Sequence, residues 1–202
     1  MVPGDRESDE AVTGMDTSAL LDAAEAFAGP FYAEAGRAYH TGAHVRALLD
    51  ALAVRGVLTP ALALAAWGHD MIYDPRAADN EARSAAVFGA WLAAQGAPAD
   101  LQAEVRALIL ATRHTAPPTT RAEALFVDAD LSVLGADAAT FEAYNRAIRV
   151  EYAHVPEDVY RAGRAAVLRG FLNREQLYLT PEFAGLEPQA RVNLSRALAR
   201  LN

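Results

Sequence analysis

The chain of 202 residues contains no cysteine, which excludes disulfides, zinc–thiolate sites and a thiol nucleophile together. It also lacks a surplus of basic residues. With a formal charge of −8, it does not offer the general positive surface that a nucleic-acid polymer requires. A small nucleotide is not excluded on that ground, because a bound cation reverses the field locally. No uncharged apolar stretch reaches about 20 residues, so no membrane span is expected. The polar start Met-Val-Pro-Gly-Asp-Arg-Glu-Ser lacks the basic and then apolar regions of a secretory signal. Together with the missing cysteine this makes the cytoplasm the expected compartment, and residues 1–15 are expected to form a flexible tail. Internal repeats, long linkers and period-two segments long enough for a sheet are absent as well.

What remains reads with helical period almost throughout. Over half of the residues are apolar, alanine is abundant, and the length suffices for one domain with a full core. A first helix begins at Ala19-Leu20-Leu21 and is expected to stop at Gly29-Pro30. The stripe His44, Val45, Leu48, Leu49, Leu52 runs on to Gly56. His40 lies four residues before His44 and Arg37 one turn earlier, so on one helix all three share a face. Thr59-Pro60 starts a helix reaching about Ile72. Further helices are expected at about 80–95, 98–112, 122–134, 137–154, 156–173 and 188–201, with Pro117-Pro118 marking the clearest loop. The expected architecture is a single all-α domain, a helical bundle spanning 16–202.

His69-Asp70 ends the apolar run Ala61–Trp67. Chance supplies about 0.3 such dipeptides in a chain of this composition, so the pair gains weight from its company. His44 lies upstream on an apolar stripe that turns its ring inward, where a buried imidazole needs a partner. Downstream, Asp128 and Asp130 are two apart and cannot both face one ion from a helix. Asp130 shares the stripe of Leu131 and Leu134 and is the chosen ligand, while Asp128 is left to hydrogen bonding. Imidazole with carboxylate is the donor mix of divalent metals such as Mn, Fe, Co, Ni or Mg. His114, at the end of Leu108–Arg113, serves a second metal, a substrate or a helix end equally well. Glu151-x-x-His154 has a spacing known from di-iron bundles, but those need two copies, and Pro156 makes His154 a helix cap.

Arg37-x-Tyr39-His40-x-x-x-His44, His69-Asp70-x-x-Tyr73-Asp74, Asp79-Asn80-Glu81-x-x-Ser84-Ala85, Asp128-Ala129-Asp130-Leu131-x-x-Leu134-Gly135 and Ile148-Arg149-x-Glu151-Tyr152 occur in this order. Together they resemble the HD superfamily of metal-dependent phosphohydrolases, and within it a bacterial branch of predicted HD phosphohydrolases. The resemblance covers about Phe31 to Tyr178. It implies an HD-type helical fold and one divalent ion (Mn, Co, Ni, Mg, Fe or Zn) held by His44, His69, Asp70 and Asp130. It further implies a small phosphorylated substrate, nucleotide-like, cleaved by metal-activated water. Glu81 and Asp74 are candidates to take the proton of that water; for Glu81, a charge placed to suit the helix dipole is nearly as good a reading. Arg37, His40, His114, Asp128 and Arg149 are the candidates for holding substrate, although Arg149 and Glu151 also suit a structural ion pair. Two other readings stand beside this one: a non-catalytic HD module that senses a nucleotide, and a di-iron oxygenase, for which five histidines are few. Homodimerisation is left open.

Overall fold

The apolar periodicity resolves into nine α-helices and no strand among residues 17–201, the part of the chain that the computed structural model describes. The tail expected at residues 1–15 lies outside the described residues. The helices are α1 (Thr17–Tyr32), α2 (Gly42–Ala53), α3 (Pro60–Gly68), α4 (Asn80–Ala94), α5 (Ala99–Ala111), α6 (Arg121–Asp130), α7 (Ala138–Glu151), α8 (Glu157–Leu172) and α9 (Glu187–Leu201). One continuous apolar core runs from Leu20 of α1 to Ala197 of α9, as a single all-α domain requires.

The short helix α3 is the axle of this arrangement. Thr59 accepts a hydrogen bond from the Leu62 amide and Pro60 occupies the first turn, so the start is capped twice over. Every residue from Ala61 to Gly68 is buried, against α1, α2, α4 and α5. Burying side chains such as Leu62, Leu64 and Trp67 contributes about 1.5–3 kcal/mol each. A Cβ on Gly68 would sit 2.7 Å from Phe88 of α4 and 2.8 Å from Ile109 of α5, so only glycine lets both helices approach. The last carbonyls of α3 and the turn after it are satisfied by two long side chains. Tyr32 donates to the Trp67 carbonyl at 3.0 Å, and Arg37 donates to the carbonyls of Asp70 and Met71, both at 2.7 Å.

Several boundaries differ from the sequence-based expectation. Helix α1 runs through Gly29-Pro30 to Tyr32, because Tyr32 is buried and anchored to α3, and tertiary packing outweighs the lost proline N–H. Helix α3 ends at Gly68 rather than Ile72, and α2 begins only at Gly42, so Arg37 and His40 precede it and do not share its face. Helix α6 ends at Asp130 and tightens into a 3-10 turn over Leu131–Gly135. There Tyr178 donates to the Leu131 carbonyl and Asn193 of α9 to those of Leu134 and Ala136, so the turn is held from outside.

Candidate metal centre

The ends of three helices meet at one point. The Nε2 atoms of His44 (first turn of α2) and His69 (C-cap of α3) lie 3.1 Å apart. Oδ1 of Asp130, the last residue of α6, is 3.2 Å from the first and 3.7 Å from the second. The ligand atoms of these three residues all fall within 4.8 Å of one another, and the group is able to hold a metal ion. Asp70 flanks it, with Oδ2 3.0 Å from His69 Nε2 and 3.7 Å from His44 Nε2. Donors at about 2.0–2.2 Å from one cation stand roughly 3.0–3.5 Å apart, so most of these separations suit a shared ion.

The donor chemistry supports the same fit. His69 Nδ1 lies 2.9 Å from the Ala66 carbonyl, to which it donates, so in the neutral ring Nε2 offers a lone pair to the cluster. Two imidazole nitrogens and two carboxylates then converge as acceptors, an arrangement that requires protons or a cation. Burial would raise the Asp130 carboxyl, yet hydrogen bonds from His114, His44 and His69 hold it well below the usual carboxylate range. Burial likewise opposes ionisation of Asp70, but the charges of His69 and His40 outweigh it and lower that carboxyl too. His69 shows the converse: burial disfavours its charged form, but Asp70 and Asp130 lift it well above an ordinary histidine. The cluster attracts positive charge.

Glu151 organises the approach to this centre. Its side chain is buried, and Oε1 accepts the backbone N–H groups of Ala38, Tyr39 and His40 at 2.8, 2.7 and 2.9 Å. Three successive amides thus form an anion-binding nest, filled here by a side chain. Oε2 binds His40 Nδ1 at 2.7 Å and accepts from the Tyr73 hydroxyl at 2.9 Å. Tyr73 also stacks on the His40 ring at 4.2 Å. His40 Nε2 is left 4.0 Å from Asp70 Oδ2. Burial would raise Glu151, but the His40 hydrogen bond, the His40 charge and the backbone amides pull it down to about 2.

The remaining site candidates separate into those that face the centre and those that do not. His114 does: its Nε2 is 3.3 Å from Asp130 Oδ2, and its backbone adopts φ 53°, the left-handed conformation of a helix end. A non-glycine residue there costs about 1 kcal/mol or more, offset by this contact. Glu81 lines the cavity of about 730 Å³ that opens over the centre, beside His40, Asp70, His114 and Asp130.

Arg37 is not available to a substrate, since its side chain is buried and both terminal guanidinium nitrogens are spent on Glu34, His40, Asp70 and Met71. Asp74 faces its own loop, accepting from the Arg76 amide at 2.9 Å, and does not line the cavity. Arg149 pairs with Glu157 at 3.0 Å rather than with Glu151, binds the Tyr152 carbonyl and covers the Tyr160 ring. Asp128 is fully buried and receives the amides of Leu179 and Thr180 and the Thr180 hydroxyl. Its hydrogen-bonding role is therefore structural, tying residues 179–180 to α6, and it touches no substrate space. His154 sits in the turn after α7, against the Tyr152 ring.

Sequence reasoning missed the role of Glu151, although a signal was present. Phe141, Tyr144, Ile148 and Glu151 follow one helical stripe, and an acid on an apolar stripe is out of place unless it is held. No protein-family model, curated protein or solved structure matches the chain. The chemistry of the centre therefore rests on its own geometry.

Proposed function

We propose that the chain is a metal-dependent phosphohydrolase of the HD type. The observation that carries this reading is the convergence of His44, His69 and Asp130 beside Asp70 at the edge of the 730 Å³ cavity. In this reading those four residues hold one divalent cation. When bound, such a cation acidifies a water and polarises a phosphoryl oxygen.

The other residues then have defined tasks. Glu151 accepts the Nδ1–H of His40, fixes its ring and favours its charged form, so that Nε2–H donates to a phosphate oxygen above Asp70. Tyr73 keeps the same ring from turning. His114 fixes the second oxygen of Asp130, as partners of metal-binding carboxylates do. In this reading Glu81, on the cavity wall, takes the proton of the attacking water, a role for which Asp74, turned to its own loop, is the weaker candidate.

The test is a screen of metals against substrates: Mn, Co, Ni, Mg, Fe and Zn with phosphate monoesters, nucleoside mono-, di- and triphosphates, alarmones and pyrophosphate. Phosphate release that depends on an added metal and disappears with chelator is the expected result. A protein that binds metal stoichiometrically yet turns over no phosphate compound would overturn the proposal.

A further inference from the structure

The cavity over the centre is lined unevenly. Five of the chain's seven tyrosines (39, 73, 144, 152 and 160) face it, and its far side is apolar, with Ile148 of α7 and Val159 and Val167 of α8. Guanidinium groups lie over two of the rings: Arg164, itself part of the lining, is 5.0 Å from the centre of Tyr144 and donates to Asn145, and Arg149 is 4.5 Å from that of Tyr160. Tyrosine offers a broad flat face at low entropic cost, which suits planar ligands.

The same lining is poor in the groups that hold a polyphosphate. The chain has no lysine. Only two arginines line the cavity; Arg164 is committed to Asn145 and Tyr144, which leaves Arg113 with no ion pair among the described residues. The same lining holds three carboxylates, Asp70, Glu81 and Asp130, beside these two arginines and His40, so one divalent ion leaves a surplus of positive charge that suits one phosphate dianion rather than a triphosphate. Sites for triphosphates use glycine-rich loops or several lysines and arginines around the chain of phosphates. The single glycine in this lining, Gly163, is inside α8.

From this we infer that the substrate is a phosphomonoester: one phosphate at the metal centre, joined to a planar aromatic group that lies among the tyrosines of α7 and α8. The inference rests on the phosphohydrolase reading for its phosphate end, and on the cavity lining for the rest. It excludes nucleoside di- and triphosphates and small aliphatic phosphates as preferred substrates. A volume of about 730 Å³ holds a phosphate with one or two fused rings and falls in the ordinary range of small-molecule sites.

The test uses calorimetric binding to the metal-loaded chain and turnover in parallel. Naphthylphosphonate and methylphosphonate carry the same charged group and differ only in the ring. The expected result is binding of the naphthyl compound at least about tenfold tighter. In turnover, naphthyl phosphate and adenosine monophosphate should exceed glycerol phosphate and adenosine triphosphate in kcat/KM by a similar factor. Tyr160→Ala should reduce the difference between the two phosphonates, and Tyr160→Phe should keep it. Equal binding of both phosphonates, or preference for the triphosphate over the monophosphate, would overturn the inference while leaving the hydrolase reading intact. Metal and naphthylphosphonate binding without turnover of any phosphate compound would remove the hydrolase reading instead. Since the decisive comparison is between ligands on the unaltered chain, it stands even if Tyr160→Ala fails to fold.

Discussion

Helices α3 and α8 serve the same cavity on opposite terms. All of α3 from Ala61 to Gly68 is buried, and it delivers His69 and Asp70 from its end. Only Ala165 and Leu168 of α8 are buried, while Val159 and Val167 line the cavity with about half of their surface exposed. Under the proposed function the difference follows from what each must do. Metal ligands have to be held within a few tenths of an ångström, which needs dense packing and satisfied carbonyls behind them. A wall for a flat apolar group needs area and tolerates movement. Binding of metal and choice of substrate should therefore separate experimentally along these two helices.

The sharpest break is at the end of α3. His69→Ala and Asp130→Asn should each lose bound metal and lower activity by about three orders of magnitude or more. Helical content should stay unchanged by circular dichroism, since the core holds without them. Tyr160→Ala on α8 should leave metal stoichiometry as it is. Full activity in His69→Ala would refute the metal centre.

Glu151→Gln comes next and lies between the two regions. Gln keeps the shape but offers a weaker acceptor to His40 and to the nest of amides. Turnover should fall about 10–100-fold with metal binding retained, the usual cost of losing an orienting partner. A purely structural role would lower the melting temperature and leave kcat in the surviving folded fraction unchanged.

The two regions were also unequally legible in the sequence. The side of the His44, His69 and Asp130 cluster announced itself, because His69-Asp70 closes an apolar run and an ionisable pair there demands an explanation. The all-helical fold followed from period and composition, and the apolar stripe pointed to Asp130 rather than Asp128 as the residue beside His44 and His69. What escaped were contacts made across the chain. Arg37 is consumed by carbonyls 33 and 34 residues away, and Glu151 by amides more than 110 residues away. Asp128 is consumed by an amide and a hydroxyl 52 residues on. No periodicity encodes such partners, so Arg37 and Asp128 looked available to a substrate, and Glu151 to an ion pair with Arg149. The tyrosines of α7 and α8 escaped for another reason. On an amphipathic helix a tyrosine facing a cavity has the same spacing as one facing the core.

Two glycine substitutions compare the helices by packing alone. Gly68→Ala in α3 has no room between Phe88 and Ile109 and should destabilise by about 1–3 kcal/mol, with weaker metal binding as α3 shifts. Gly170→Ala in α8 meets nothing within 4 Å and should stabilise by about 0.5–1 kcal/mol through helix propensity. Thermal melts of both variants test the contrast, and similar shifts in the two would contradict it.

The smallest expected effect is the pH dependence of stabilisation by metal. Without metal, protonated His69 supplies the positive charge that Asp70 and Asp130 require, and its proton is held to a higher pH than in an ordinary histidine. A raised folded-state pKa contributes stability that is complete below the unfolded value of about 6.5 and is lost as pH rises through the folded value. Metal needs the neutral ring, so protons compete with it in the lower range and release it in the upper. The gain in melting temperature on adding Mn or Co to chelated protein should therefore be small near pH 6 and grow by a few degrees toward pH 8.5. Chelated protein should stay folded at room temperature throughout, because a continuous core of this size does not depend on one ion. Scanning fluorimetry across that range, with and without chelator, measures the difference directly. A gain independent of pH would mean that the ion bypasses His69, and with it the end of α3.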